Sequence, residues 1–330
     1  MPQPQRRLSV LIKALNEEGR IAACLESVLV AVEGLDAEVV LVDSCSTDST
    51  VEVASRYPVR VVQFAQQPDR SCGAAVQLAY QQAGGEFVYV LDGDMQMAPG
   101  FLRLALERLE RDAGLAGVGG RLVDEVVRTE TDHARARIAG MQVSEHEVDE
   151  LGGGGLYRRA AIEQVGYLAN RWLQACEEAD LGVRLRASGW RLLRLPDLAV
   201  RHEGHAEGNG AMLLRLWRNG RAAAAGVMLR AALGRPWWPL ALRRMWHLGI
   251  APGLHGLGLL LALAGGWHWY AAPLLAWLLL QALRRRSPGA AWWSLVSAHV
   301  LFVASLRGFL RPPRDPGEPI PSRTLNQAAG

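Results

Sequence analysis

Asp92-Gly93-Asp94 directly follows the apolar run Phe87-Val88-Tyr89-Val90-Leu91. An apolar run of that length between turn residues reads as a buried strand. Two carboxylates one residue apart at its C-terminal end can both reach one hard cation. Mg²⁺ or Mn²⁺ held there keeps positions open for the oxygens of a diphosphate. That points to chemistry on a nucleotide-activated substrate; taken alone, the pair also fits a plain turn. A second acidic group, Cys176-Glu177-Glu178-Ala179-Asp180, opens a helix running to about Ser188 and closed by Gly189. Acidic residues suit a helix first turn, so a structural role is open for some of them. Gly152-Gly153-Gly154-Gly155 fits either a close backbone approach to a ligand or a hinge.

These groups need a frame. Leu8 to Ile12 reads as a strand ending at Asn16-Glu17-Glu18-Gly19, and Ile21 to Val32 as a helix. Glu38 to Val42 is a strand running into Asp43-Ser44-Cys45-Ser46-Thr47-Asp48, which caps a helix from about Ser49 to Arg56. Val59 to Phe64 is a strand, Ala74 to Ala83 a helix ended by Gly84-Gly85, Pro99 to Arg111 a helix and Leu115 to Val123 a strand. Strands alternating with helices predict an α/β fold with a mainly parallel sheet covered on both faces. Ligands in such sheets sit at the carboxyl ends of the strands, where Asn16–Glu18, Asp43–Asp48 and Asp92–Asp94 all fall. Residues 124–150 lack a strong period and are expected to form a loop and short helix over the site.

Charge divides the 330 residues. Residues 1–207 carry an acidic excess, whereas 208–314 hold 13 Arg and no Asp or Glu. Ala211 to Leu233 reads as a helix with Arg215, Arg218, Arg221 and Arg230 among apolar residues, suited to an anionic lipid surface or to packing on the first domain. Leu248–Gly266 and Trp267–Leu283 are each near the length of a membrane span, with Trp267, Trp269 and Tyr270 at their junction. Arg243-Arg244 and Arg284-Arg285-Arg286 flank the pair, the pattern of a hairpin with both ends cytoplasmic. Ala291–Leu310, interrupted by Arg307, spans or lies in the interface. Four separated cysteines with no Cys-x-x-Cys read as thiols of a reducing compartment. Met-Pro-Gln-Pro-Gln-Arg-Arg leads into a strand and not into a signal-peptide core, so the first domain is expected to face the cytoplasm. The expected domains are 1–207, a basic interfacial segment 208–246, a membrane region 247–310 of two or three helices, and a flexible tail 311–330.

Four blocks in this order carry a resemblance: the opening strand with Asn16-Glu17-Glu18, Val42-Asp43 through Thr50, Leu91-Asp92-Gly93-Asp94, and Glu177-Glu178-Ala179-Asp180-Leu181 with Arg184-Leu185-Arg186 and Gly189. Together with Arg70 to Gly85, they resemble a family 2 glycosyltransferase of the GT-A fold. The resemblance implies a nucleotide-sugar donor, a UDP- or GDP-sugar, and Mg²⁺ or Mn²⁺. By position, Asp43 recognises the base, and Ala14, Asn16, Glu17, Arg70 and Gly93 line the donor pocket. Asp92 faces the ribose and the metal, and Asp94 holds the metal on the diphosphate. The metal offsets charge growing on the leaving group.

Glu178 matches the base that takes a proton from the acceptor hydroxyl, with inversion at the anomeric carbon; Glu177 competes for that role, and Asp180 supports the helix. Some relatives ligate the metal through a His near His202, with His205 a weaker choice. The implied acceptor is lipid-linked or membrane-proximal, at the inner (cytoplasmic) membrane, with no nucleic-acid partner. The chain departs from the family at Lys13-Ala14-Leu15-Asn16, where a Pro usually precedes the Asn, and at Glu178, usually Asp. Arg215-Leu216-Trp217-Arg218-Asn219-Gly220-Arg221 stands where processive synthases carry Gln-x-x-Arg-Trp, which favours one sugar per encounter. A silent membrane scaffold and a nucleotidyltransferase are the competing readings. The first has no need of Glu178 beside a metal site; the second lacks a Gly-rich triphosphate loop at strand one.

Overall fold

The computed structural model describes residues 7–124, 143–202 and 208–326. The chain forms two units, Met1–Ala206 with Arg314–Gly330, and Glu207–Pro313. The first unit contains, in chain order, β1 (Leu8–Ala14), α1 (Ile21–Val32), β2 (Ala37–Asp43), α2 (Thr50–Ala54), β3 (Arg60–Phe64), α3 (Cys72–Gln81), β4 (Phe87–Asp92), β5 (Met95–Met97) and α4 (Phe101–Arg111). There follow β6 (Leu115–Asp124), β7 (His146–Glu147), β8 (Gly155–Arg158), α5 (Arg159–Gln164), α6 (Glu177–Ala187), β9 (Arg191–His202) and, after the second unit, β10 (Ser322–Asn326).

The sheet runs β10-β3-β2-β1-β4-β8-β6-β9-β5, with β7 on β9. It is mixed where a mainly parallel sheet was expected. β3, β2, β1 and β4 are parallel, as are β6 and β9, but β5, β7, β8 and β10 pair antiparallel. The parallel strands are apolar on both faces because helices cover both. Leu8, Val10 and Ile12 pack in one core with Ile21, Leu25 and Val28 of α1 and Leu102 and Leu109 of α4. Leu11, Val40 and Val42 point the other way, into a core with Leu78 of α3, Ile162 of α5 and Leu181 and Leu185 of α6.

The expected flexible tail contains an edge strand. β10 pairs with β3, and Ile320 is buried in the second core. Arg171 donates to the carbonyl oxygens of Glu318 and Pro319, and the Trp172 indole N–H donates to that of Asp315. β10 therefore gives the outer edge of β3 the backbone partners that a period-based reading of a Pro-rich tail had no means to assign.

The second unit contains α7 (Asn209–Arg218), α8 (Ala224–Ala232), α9 (Trp238–Arg244), α10 (Ile250–Gly265), α11 (Ala272–Arg285) and α12 (Pro288–Phe309). The helix expected over 211–233 is broken: Gly220 takes φ +77°, which an L side chain resists, and α7 ends before it. α8 and α12 cross backbone against backbone: a Cβ at Gly226 would stand 1.7 Å from the Ser305 carbonyl oxygen. Trp246–Gly265 and Pro288–Phe309 are long and apolar enough to cross a membrane, and the protein buries 22% of an 18-residue apolar stretch in each. The stretch expected over 267–283 is instead a 3₁₀ turn and the 14-residue α11, so the longest apolar helix is the one interrupted by Arg307.

Candidate active site

β1, β2 and β4 end side by side, so the loops after them meet. Asn16 and Cys45 both adopt left-handed backbone, φ 57° and 59°, which turns each loop sharply off its strand. The first two loops interlock. Asn16 Oδ1 accepts from the Thr47 N–H at 2.8 Å, the Glu17 N–H donates to Thr50 Oγ1 at 2.7 Å, and Glu18 Oε2 accepts from the Ser49 N–H at 3.0 Å. Asn16 is thus committed to holding the neighbouring loop. Gly93 serves packing in the same way: its N–H donates to the Lys13 carbonyl, and a Cβ there would press on Ala14 at 3.2 Å.

Asp43 ends β2 fully buried. Its Oδ2 accepts from Gln63 Nε2 at 2.7 Å and from the Ser46 N–H at 3.0 Å. Arg70 reaches the same loop, donating to the Ser44 carbonyl at 3.3 Å.

Strand register sets the next group. Lys13 pairs with Asp92 across β1 and β4, and its Nζ lies 3.2 Å from Asp92 Oδ1 and 2.8 Å from Glu177 Oε1. Burial alone would lower the Lys13 pKa, but Asp92, then Glu177 and Glu178, hold it well above the usual value. Glu177 and Glu178 start α6, entered through Cys176 at φ 68°. Glu178 is pushed up to about 8 by burial and by Glu177, against the pull of Lys13. Asp180 lies apart from this group: 1% exposed, it pairs with Arg184 at 2.9 Å, and Arg184 also donates to the carbonyls of Tyr167 and Leu168. That pairing turns Asp180 into a brace for α6 and takes its carboxylate away from the site.

Asp94, just past β4, meets β9. Asp94 Oδ2 lies 3.3 Å from His202 Nε2, and His202 Nδ1 lies 2.6 Å from Asp124 Oδ1. The Asp94 carboxylate holds the His202 ring up to about 9 despite burial, with Asp124 adding to it. Burial and then Asp94 push Glu17 up to about 7. A cavity of about 150 Å³ opens here between Arg20, Ala23, Asp94, Gln96 and His202. Among the described residues no three acidic, His or Cys side chains already converge as a ligand set. The donor chemistry still suits a hard divalent cation: Asp94 and His202 face each other on the cavity, and Asp124 fixes the imidazole from behind. Asp92, expected on the metal, is turned to Lys13. His205 and most of the loop expected over 124–150 lie outside the described residues.

Lys13, Asp124 and Gln63 were missed in the sequence. A lysine inside an otherwise apolar strand was the available signal for Lys13; Asp124 and Gln63 become visible only through pairing with β9 and β2.

The sequence profile of the family described as "Glycosyl transferase family 2" matches residues 9–166. A dolichol-phosphate mannosyltransferase of Pyrococcus furiosus is 29% identical over 121 residues, 36% of this chain and 34% of that protein. The alignment thus spans about a third of that relative's length. The succinoglycan biosynthesis protein ExoA of Rhizobium meliloti is 27% identical over 92% of this chain and 93% of its own. Among solved structures, a mannosyltransferase of Pyrobaculum calidifontis, in complex with GDP-Man and Mn²⁺, superimposes with a TM-score of 0.62 at 20% identity, covering 94% of this chain and 88% of that one.

Proposed function

The chain belongs to glycosyl transferase family 2, with the GT-A fold, and on that premise we propose that it moves a sugar, with inversion, from a nucleotide-sugar to a lipid-linked or membrane-proximal acceptor. The carrying observation is the Lys13 bridge, which sets the Glu177–Glu178 end of α6 beside Asp92 at the end of β4. The relatives' names favour polysaccharide, glycolipid or cell-envelope assembly.

In this reading Asp43 takes the nucleobase. Asp94 and His202 would hold Mg²⁺ or Mn²⁺, which would supply charge stabilisation for the departing nucleoside diphosphate. Lys13 neutralises Asp92 and engages Glu177, leaving Glu178 to accept the proton of the acceptor hydroxyl. That hydroxyl oxygen then bonds to the anomeric carbon on the face opposite the leaving diphosphate oxygen. Glu178 works as its carboxylate, so burial tunes it towards the working pH. The arginine-rich stretch 208–314, which holds no Asp or Glu, suits the cytoplasmic face of the inner membrane, where anionic lipid heads and a lipid-linked acceptor lie.

The test is transfer of label from a panel of nucleotide-sugars to membrane lipid by the purified chain with Mn²⁺. Lipid-soluble label that disappears in Glu178→Gln supports the reading. A protein that turns over none of the donors, in either lipid transfer or hydrolysis, overturns it.

A further inference from the structure

β10 lies outside the residues that the family profile matches, yet through Gln63 it reaches Asp43, the residue assigned to the base. Strand register brings three polar residues into one row: Asp43 of β2 pairs with Gln63 of β3, and Gln63 pairs with Arg323 of β10. Residues paired across neighbouring strands project to the same face, so their side chains can meet. Arg323 Nε donates to Gln63 Oε1 at 3.0 Å, and Arg323 Nη2 donates to the same oxygen. Gln63 Nε2 then donates to Asp43 Oδ2 at 2.7 Å.

The cation fixes the direction of this relay. A guanidinium only donates, so it orients the Gln63 amide oxygen outward and its NH₂ group towards Asp43. Without Arg323 the amide loses its outer anchor, and the Asp43 carboxylate alone is left to orient it. The relay also sorts the two Asp43 oxygens. Oδ2 accepts from both Gln63 and the Ser46 N–H, while among the described residues Oδ1 has the longer 3.3 Å contact to that N–H. A carboxylate oxygen only accepts, so the base must present a donor: a ring N–H beside a carbonyl gives one on the ring edge itself, whereas bases without it bring only an exocyclic amine. Uracil and guanine offer that lactam; cytosine and adenine present a ring acceptor instead.

We propose that Arg323, acting through Gln63, holds the Asp43 carboxylate in the orientation that selects a lactam nucleobase. The proposal rests on the transfer reading above and adds to it a positioning residue from the end of the chain. Arg323 occupies an exposed position on the edge strand, where replacement leaves the core intact.

The experiment is calorimetric titration of the full chain with UDP, GDP, CDP and ADP in the presence of Mn²⁺. Wild type, Arg323→Ala, Arg323→Lys, Gln63→Ala and the double variant are compared, with melting curves as the fold control. Wild type is expected to prefer UDP or GDP, and the panel shows which. Arg323→Ala weakens that nucleotide about tenfold, the scale of one charge-assisted hydrogen bond, and leaves CDP and ADP unchanged. Arg323→Lys recovers part of the loss. In the Gln63→Ala background Arg323→Ala has no further effect, because the two act as one unit.

Four results would overturn the proposal: unchanged binding in Arg323→Ala, unchanged binding in Gln63→Ala, equal weakening of all four nucleotides, or additive losses in the double variant. If wild type prefers UDP or GDP and only the variants behave otherwise, the transfer reading survives. Wild type that binds no nucleotide removes both.

Discussion

Lys13 Nζ lies 2.8 Å from Glu177 Oε1, and the Lys13 side chain is only 15% exposed. One ammonium thus offsets Glu177 and Asp92, and lies close enough to Glu178 to oppose part of the rise that burial gives its pKa. Removing one partner of a buried pair leaves the other charge uncompensated, at a cost of about 3–5 kcal/mol. Lys13→Met is expected to lower the melting temperature and abolish sugar transfer. A variant that melts as wild type does would show that the ammonium is dispensable to the fold.

Replacing Glu178 with Gln removes a proton acceptor while keeping its shape. A general base contributes roughly 10²- to 10⁴-fold, so the transfer rate should fall within that range while nucleotide affinity stays within about twofold. Glu177→Gln frees Lys13 from one partner and should mainly lower stability. If Glu177→Gln causes the larger rate loss, the two residues exchange roles.

Without divalent cation, stability should fall as pH rises. His202, raised to about 9, contributes fully below about 6.5 and loses its contribution as pH climbs through 9. Glu17 and Glu178, raised to about 7 and about 8, keep protons in the fold that the unfolded chain has already released above pH 4.5. All three bind more protons folded than unfolded, so melting curves between pH 5 and 9 should show a falling midpoint. The deprotonation of Glu178 should also appear as the acid limb of transfer activity near pH 8. A midpoint that rises over this range would contradict the whole acidic group.

Asp124 orients His202 from behind, at 2.6 Å. Partners of this kind typically change metal affinity by about 10–100-fold. Asp124→Asn should therefore need more Mn²⁺ for the same thermal shift, and Asp94→Ala should show no shift. An equal shift in Asp94→Ala would move the cation elsewhere.

Two helices of the second unit meet the length and composition of a membrane span. Alkaline carbonate, which strips proteins held only by charge, should leave the full chain in the membrane pellet. Release into the supernatant would assign the anchoring to the arginines alone.

The parts of this molecule governed by local pattern were legible in the sequence. β1, β2 and β4 followed from short apolar runs, and the acidic clusters fell at their ends because strand ends are where chain direction changes. What escaped depended on pairing between distant residues. Lys13 meets Glu177 across 164 positions, and Gln63 meets Arg323 across 260. Hydrophobic period carries no information about such partners. The antiparallel entry of β8 and the edge strand β10 were hidden for the same reason, since a short strand reads alike in either direction.

The return of β10 to the sheet carries a rule of parity. Residues 207–313 leave the first unit after β9 and come back to it before β10. A loop that starts and finishes on one side of a bilayer crosses it an even number of times. The second unit offers three apolar helices, α10, α11 and α12, so they cannot all be crossings. In a chain embedded in a bilayer at least one would lie along the surface or against its neighbours, and an accessibility map that placed single labels at residues 266 and 287 would show which.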